Sequence, residues 1–230
     1  MRGMKQGKVI TLLHWLGYAL MFVFIIIGFV KAREGQEAFM EYLKEDGLVE
    51  NLTTLFLLAS CGIAVYRAIA ACREGKKLWS VTWSVLAFLF FFAAGEEISW
   101  GQRIFNIASS DYFLEKNLQQ EINLHNLVVG GIKLNKLIFS QILTAVLAFY
   151  ILFLRILAQK TRFFNKAVRQ FGIPLPRWEH VVALLTGTVL VSQYHLLKAG
   201  ELREFVFAVV FFLIFLRPYF VAPLPKGSDS

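Results

Sequence analysis

The chain has 230 residues, of which 57% are hydrophobic and 23 are Phe, and its mean hydropathy is +0.57. Soluble domains use about 45–50% apolar residues, so this composition excludes an ordinary soluble domain. Continuous apolar blocks in place of alternation exclude a transmembrane β-barrel. The net charge of +8 would suit nucleic acid. Its Lys and Arg, however, gather on alternate connections between apolar runs, which topology and anionic lipid explain, so no nucleic-acid partner is expected.

The pattern predicts an all-α, polytopic transmembrane helical bundle of about six spans, forming a single membrane domain over residues 1–230. Arg2, Lys5 and Lys8 precede the first span, residues 9–30, which is too long for the apolar core of a signal peptide and has no cleavage site close behind it. A polar stretch to Glu50 carries a short surface helix around Gln36 to Lys44. Residues 52–72 make the second span, with Arg67 near its end and able to snorkel to headgroups. Cys61 and Cys72 fall on opposite faces of that span, so neither a disulfide framework nor a C-x-x-C metal motif is expected.

The third span, residues 78–99, is entered through Trp79 and Trp83. The outer connection, residues 100–136, contains Ser109-Ser110-Asp111 as a helix-start signal and an apolar stretch, Leu127 to Ile132, too short to cross and expected to dip into the interface. Residues 137–158 form the fourth span. A basic connection broken by Pro174 and Pro176 leads to the fifth, residues 180–197, and a tight turn at Lys198 to Glu201 leads to the sixth, residues 205–221. Most Lys and Arg lie on the side shared by both termini, which is therefore expected to be cytoplasmic. Trp79, Trp83 and Trp178 lie at that side, as an aromatic belt requires.

Glu96 and Glu97 follow directly on the uncharged run from Leu78 to Gly95. A carboxylate at the end of a span is costly unless solvated, paired or bound to a cation, and acids at a helix C-terminus oppose the macrodipole, so the pair marks a functional site. If the helix continues past Gly101, Glu96, Trp100 and Arg103 share a face and Glu97 points about 100° away. Arg103 would then pair with one carboxylate, leaving the other for a ligand, a proton or a metal. His125 in the outer connection and His195 near the outer end of the fifth span lie at a similar depth. His195 shares a stripe with Thr188 and Ser192 that should face protein. His14 and His180 belong to the cytoplasmic half and read as structural.

These features predict an outer pocket with Glu96, Glu97, Arg103, His125 and His195 as catalytic candidates. Trp100, Gln102, Asn123, Asn126 and Ser192 are the candidates for substrate contact. Glu97, His125 and His195, with Glu201 nearby, could hold a divalent metal through nitrogen and oxygen ligands, although no H-E-x-x-H spacing is present. Without a metal, a carboxylate and an imidazole could form an acid/base pair.

The segment Glu96-Glu97-Ile98-Ser99-Trp100-Gly101-Gln102-Arg103, followed by Glu121-Ile122-Asn123-Leu124-His125-Asn126, resembles a pattern in uncharacterised bacterial integral membrane proteins. The resemblance implies a multi-pass protein of the bacterial cytoplasmic (inner) membrane and brings no activity. The paired glutamates are also similar to the first motif of CAAX-type intramembrane proteases, E-E-x-x-x-R. Here five residues separate Glu97 from Arg103, and neither F-x-x-x-H nor H-x-x-x-N follows in a span, so that activity is not carried over. The leading expectation is a hydrolase or transferase acting on a lipid-linked substrate among membrane lipids. A proton-coupled transporter or lipid translocator, and a non-catalytic interaction subunit, are the alternatives. Polar groups at the bilayer midplane, which transporters use, are almost absent.

Overall fold

The computed structural model describes residues 2–124, 127–129, 132–133, 142–194, 196 and 198–224. Most of these are helical; a two-residue antiparallel ladder, β1 (Val128–Val129) with β2 (Ile132–Lys133), two isolated bridges, turns and irregular segments make up the rest. Among the described residues, three helices are long and apolar enough to cross a membrane: α1 (Arg2–Glu34, apolar from Gly7), α3 (Leu48–Arg73) and α4 (Lys77–Glu97). A short α2 (Gln36–Tyr42) follows α1 after a break at Gly35, matching the expected surface helix, although its Phe39 is buried. Small α5 (Gln102–Phe105) and α6 (Asp111–Lys116) lie beyond α4.

The region of the fourth expected span is described from residue 142. It runs through α7 (Leu143–Ala148), a π-helical stretch Phe149–Leu154 and α8 (Arg155–Lys160). Then come α9 (Arg162–Phe171), α10 (Trp178–Ser192) and α11 (Ala199–Leu216).

The axis of the bundle is α11. Leu202, Phe205, Val206, Val209, Val210, Leu213, Ile214 and Phe215 are all buried on it, and α1, α3 and α10 pack around it. A helix apolar on every side is stable only when enclosed. Small residues let the neighbours close in: a Cβ at Gly17 of α1 would lie 2.8 Å from Leu213, and one at Gly187 of α10 would lie 2.9 Å from Val206. The α3–α4 hairpin turns through Glu74-Gly75, where Gly75 takes a φ of 72° and the Lys76 N–H reaches back to the Ala71 carbonyl at 2.9 Å. This is a glycine-capped helix end that an L-residue would strain.

The outward faces are lined with apolar side chains, among them Leu12, Trp15 and Ile26 on α1, Leu55 and Tyr66 on α3, and Val81 and Phe88 on α4. Water does not tolerate so broad an apolar surface, whereas lipid does. Two basic or aromatic residues expected at headgroup level are instead built into the core. Trp83 is buried against Phe215, and Arg67 lies over its ring while donating to the Phe215 carbonyl at 3.2 Å. The cause is α11, whose last carbonyls need a donor and lie within reach. Trp178 keeps the expected exposure, with Arg155 4.8 Å above its ring.

At the opposite end, the Tyr194 hydroxyl donates to the Ile25 carbonyl and its ring meets Phe29 and Phe39. Gly28 makes room, since a Cβ there would lie 2.8 Å from that hydroxyl. Tyr194→Phe removes a single buried bond while Ile25 keeps its place in α1. The thermal midpoint should fall by the equivalent of about 1 kcal/mol, and an unchanged midpoint would mean that the bond adds nothing.

Candidate functional site

The α4 helix ends at Glu97 and does not continue through Arg103. Ser99, Trp100 and Gly101 take φ values of 46°, 55° and 77°, a left-handed run in which only the glycine is at ease. Side chains hold it in place. The Trp100 ring lies on Gly95, where a Cβ would come within 2.8 Å of it, and its indole N–H donates to Glu96 at 2.8 Å. Ser99 bonds Glu121, and the Asn123 amide donates to Ser99 at 3.0 Å. Glu96 also accepts the Leu124 backbone N–H at 2.7 Å, so both of its oxygens tie residues 100–124 to the end of α4.

The shared face expected for Glu96 and Arg103 therefore does not form. Arg103 reaches the other way, donating to Asp46 at 2.8 Å and to Glu50 and Glu121. Its side chain is 23% exposed, while those of Glu50 and Glu121 are 8% and 14% exposed. Partial burial works against the guanidinium's charge, but the bonds to Glu121 and Asp46 and the charge of Glu50 outweigh it, raising the Arg103 pKa above the usual arginine value. Gln102 joins the same scaffold: its carbonyl accepts from the Ile122 N–H at 2.6 Å and its amide donates to Ser109 at 2.6 Å. Asn123 is buried and accepts from the Asn117 amide at 2.9 Å. Glu96, Arg103, Gln102 and Asn123 are thus brought together as the fasteners of residues 99–124.

Glu97 stands apart from them, as the helical spacing predicted. It meets Glu201 and Glu204 of α11, with one carboxylate oxygen from each within 4.8 Å of the others. The sequence reading began this helix at Phe205, after the charged residues. In the structure α11 starts at Ala199, so Glu201 and Glu204 sit one turn apart on a helical face. Glu204 was missed for that reason. The signal was its i, i+3 spacing from Glu201.

Ser192 does not join this group. It is exposed and donates to the Val189 carbonyl of its own helix at 2.7 Å, because the buried face of α10 is made of Val181, Leu184, Gly187 and Val191. His125, Asn126 and His195 lie outside the described residues. At the other end His14 and His180 meet, Nε2 to Nε2, at 2.8 Å and fully buried. His180 Nδ1 accepts the Arg177 N–H at 3.1 Å, so its proton resides on Nε2 and is donated to His14. That is a helix-locking contact between α1 and α10, in keeping with their structural reading. Glu179 offers an oxygen within 4.8 Å of both rings.

This end of the bundle thus holds three acids from two helices, and the segment that follows α4 exposes an apolar shelf of Trp100, Ile104, Phe105 and Ile107. An all-oxygen donor set suits a hard divalent cation such as Mg²⁺, Mn²⁺ or Ca²⁺ better than Zn²⁺. No known protein family, characterised protein or solved structure matches the chain.

Proposed function

We propose that the chain is a multi-pass protein of a bacterial cytoplasmic membrane whose outer end carries a divalent-cation site on Glu97, Glu201 and Glu204, serving hydrolysis or group transfer on a lipid-linked substrate. The observation that carries this reading is the meeting of the three carboxylates, contributed by α4 and α11. Charges so close favour positive charge among them.

Six crossings are compatible with the helices present. The 15 residues of α10 rise only about 22 Å, and the 18 of α11 about 27 Å, less than a hydrocarbon core. Their neighbours enclose α11, so it need not match the lipid on its own. Lys8, Arg67 and Arg217 cluster at one end, which the positive-inside rule assigns to the cytoplasm. The carboxylates are then extracytoplasmic.

A bound cation would supply Lewis acidity and a water of lowered pKa. The protein's part is to hold Glu97 rigidly at the end of α4, to fix residues 99–124 above it through Arg103 and Glu96, and to offer the Trp100 to Ile107 shelf to an acyl or prenyl tail. A second reading, a proton-coupled carrier, draws on the same closeness, because neighbouring carboxylates readily share a proton.

The test is Mn²⁺ titration of chelator-treated protein in detergent. One saturable ion per chain is expected, with affinity at least tenfold weaker in Glu97→Gln and Glu204→Gln. Unsaturable binding, or binding unchanged by both variants, would remove the metal reading. Proton flux in proteoliposomes that disappears in Glu97→Gln would then select the carrier.

A further inference from the structure

At the end of the bundle away from Glu97, a cavity of about 790 Å³ opens between the start of α1, the end of α3 and the segment leaving α11. Lys8, Arg67 and Arg217 line it, together with apolar Ile10, Leu216 and Phe220, and no carboxylate lines it among the described residues. Elsewhere cations at helix ends find acids close by: Lys76 bonds Glu74, Arg177 bonds Glu179, and Lys198 bonds Glu45. Among the described residues, Lys8, Arg67 and Arg217 form no such ion pair.

Arg67 is the most constrained of the three. One Nη group donates to the Phe215 carbonyl, and the guanidinium lies 5.1 Å from the Trp83 ring centre, which fixes its plane. Its Nε is buried and has no hydrogen-bond partner among the described residues. A guanidinium has five N–H donors in a fixed fork that matches phosphate oxygens.

We propose that this cavity binds the phosphate headgroup of an anionic membrane lipid. Lys8 and Arg217 meet the phosphate charge at the mouth, Arg67 offers donors from within, and the apolar wall takes the glycerol backbone and the first methylenes. The neighbouring α1 residues Val9, Leu12 and Leu13 are exposed and apolar, so acyl chains lie against the same helix. A basic pocket between membrane helices on the cytoplasmic side is the usual setting for acidic headgroups. Free inorganic phosphate shares the chemistry of the headgroup but gains nothing from Ile10, Leu216 and Phe220. The inference rests on the membrane reading and is independent of the carboxylates at the other end, so failure of Mn²⁺ binding leaves it standing.

The experiment is calorimetric titration of the detergent-solubilised full chain with short-chain phosphatidylglycerol, phosphatidylcholine and inorganic phosphate in separate arms. Saturable binding is expected for phosphatidylglycerol alone. Each cation near the surface strengthens such binding about fivefold, so Lys8→Gln and Arg217→Gln should each weaken it by that factor and the double variant roughly twenty-five-fold. Arg217→Lys should keep most of the affinity. Lys8 is exposed, so its substitution does not disturb the fold. Wild-type affinity in the double variant, or equal binding of phosphatidylcholine, would overturn the proposal. Displacement of the lipid by inorganic phosphate at matched concentration would overturn it too, in favour of a soluble-phosphate site.

Discussion

Arg103→Met should lower the stability of the purified protein by about 3 kcal/mol, near the lower end of what breaking a buried ion pair costs. Removing the guanidinium leaves Glu50 and Glu121, both nearly enclosed, as adjacent carboxylates with no cation between them. Asp46 is 58% exposed and will be rehydrated, so it adds little. Arg103→Lys should recover no more than half, because one ammonium cannot reproduce the guanidinium fork to three carboxylates on two separate segments. Neutralising the acids should rescue the loss: Glu50→Gln with Glu121→Gln in the Arg103→Met background should regain at least 1 kcal/mol. The measurement is a thermal or denaturant midpoint in detergent. A midpoint for Arg103→Met equal to wild type would show that the three acids do not depend on this cation.

Gly172→Ala should also be costly, at about 3 kcal/mol, from two additive causes. Gly172 ends α9 with a φ of 63°, a conformation that costs an L-residue roughly 1–2 kcal/mol. Its absent Cβ is replaced by Trp79: a methyl there would lie 2.2 Å from the indole, and overpacking of this kind costs about 1–3 kcal/mol. The ring has little freedom to retreat, because its N–H donates to the Arg169 carbonyl at 2.9 Å and its face stacks on Phe220. In a Trp79→Ala background the steric part should vanish and the backbone part remain, so the double variant should cost less than the sum of the singles. Strict additivity would mean that the ring is not what excludes the methyl.

The long helices were legible from the sequence because a span requires only hydropathy over length, and α1, α3 and α4 carry it without interruption. The divergence of Glu97 from Glu96 was legible too, since helical spacing alone sets it. The partners of Arg103 were not. Asp46 and Glu50 lie 57 and 53 residues away, and their approach depends on how α3 packs on α4, which no local pattern records. The end of α4 was hidden for another reason. Gly101 signals a break, but Ser99 and Trp100 enter left-handed backbone only because Glu121, Glu96 and Gly95 hold their side chains.

Arg67 and Trp83 show the same limit from the other side. Their positions near the end of a span suit headgroups, yet α11 supplies a better partner for each, the Phe215 carbonyl and the Phe215 ring. The reach of α11 back to Ala199 was obscured by the turn expected at Lys198 to Glu201 and by the charges of Arg203 and Glu204 before the apolar run. With enough neighbours, a helix can carry such charges at its exposed end and remain apolar along the rest.

The enclosure of α11 also sets an order on biogenesis. The ribosome delivers α1, α3, α4 and α10 before it, so the notches at Gly17 and Gly187 stand open until Leu213 and Val206 arrive to fill them. Formation of the earlier helices cannot then be the committed step of assembly. Their final arrangement waits on a segment translated after all of them, and a chain halted before residue 199 would have nothing at its centre.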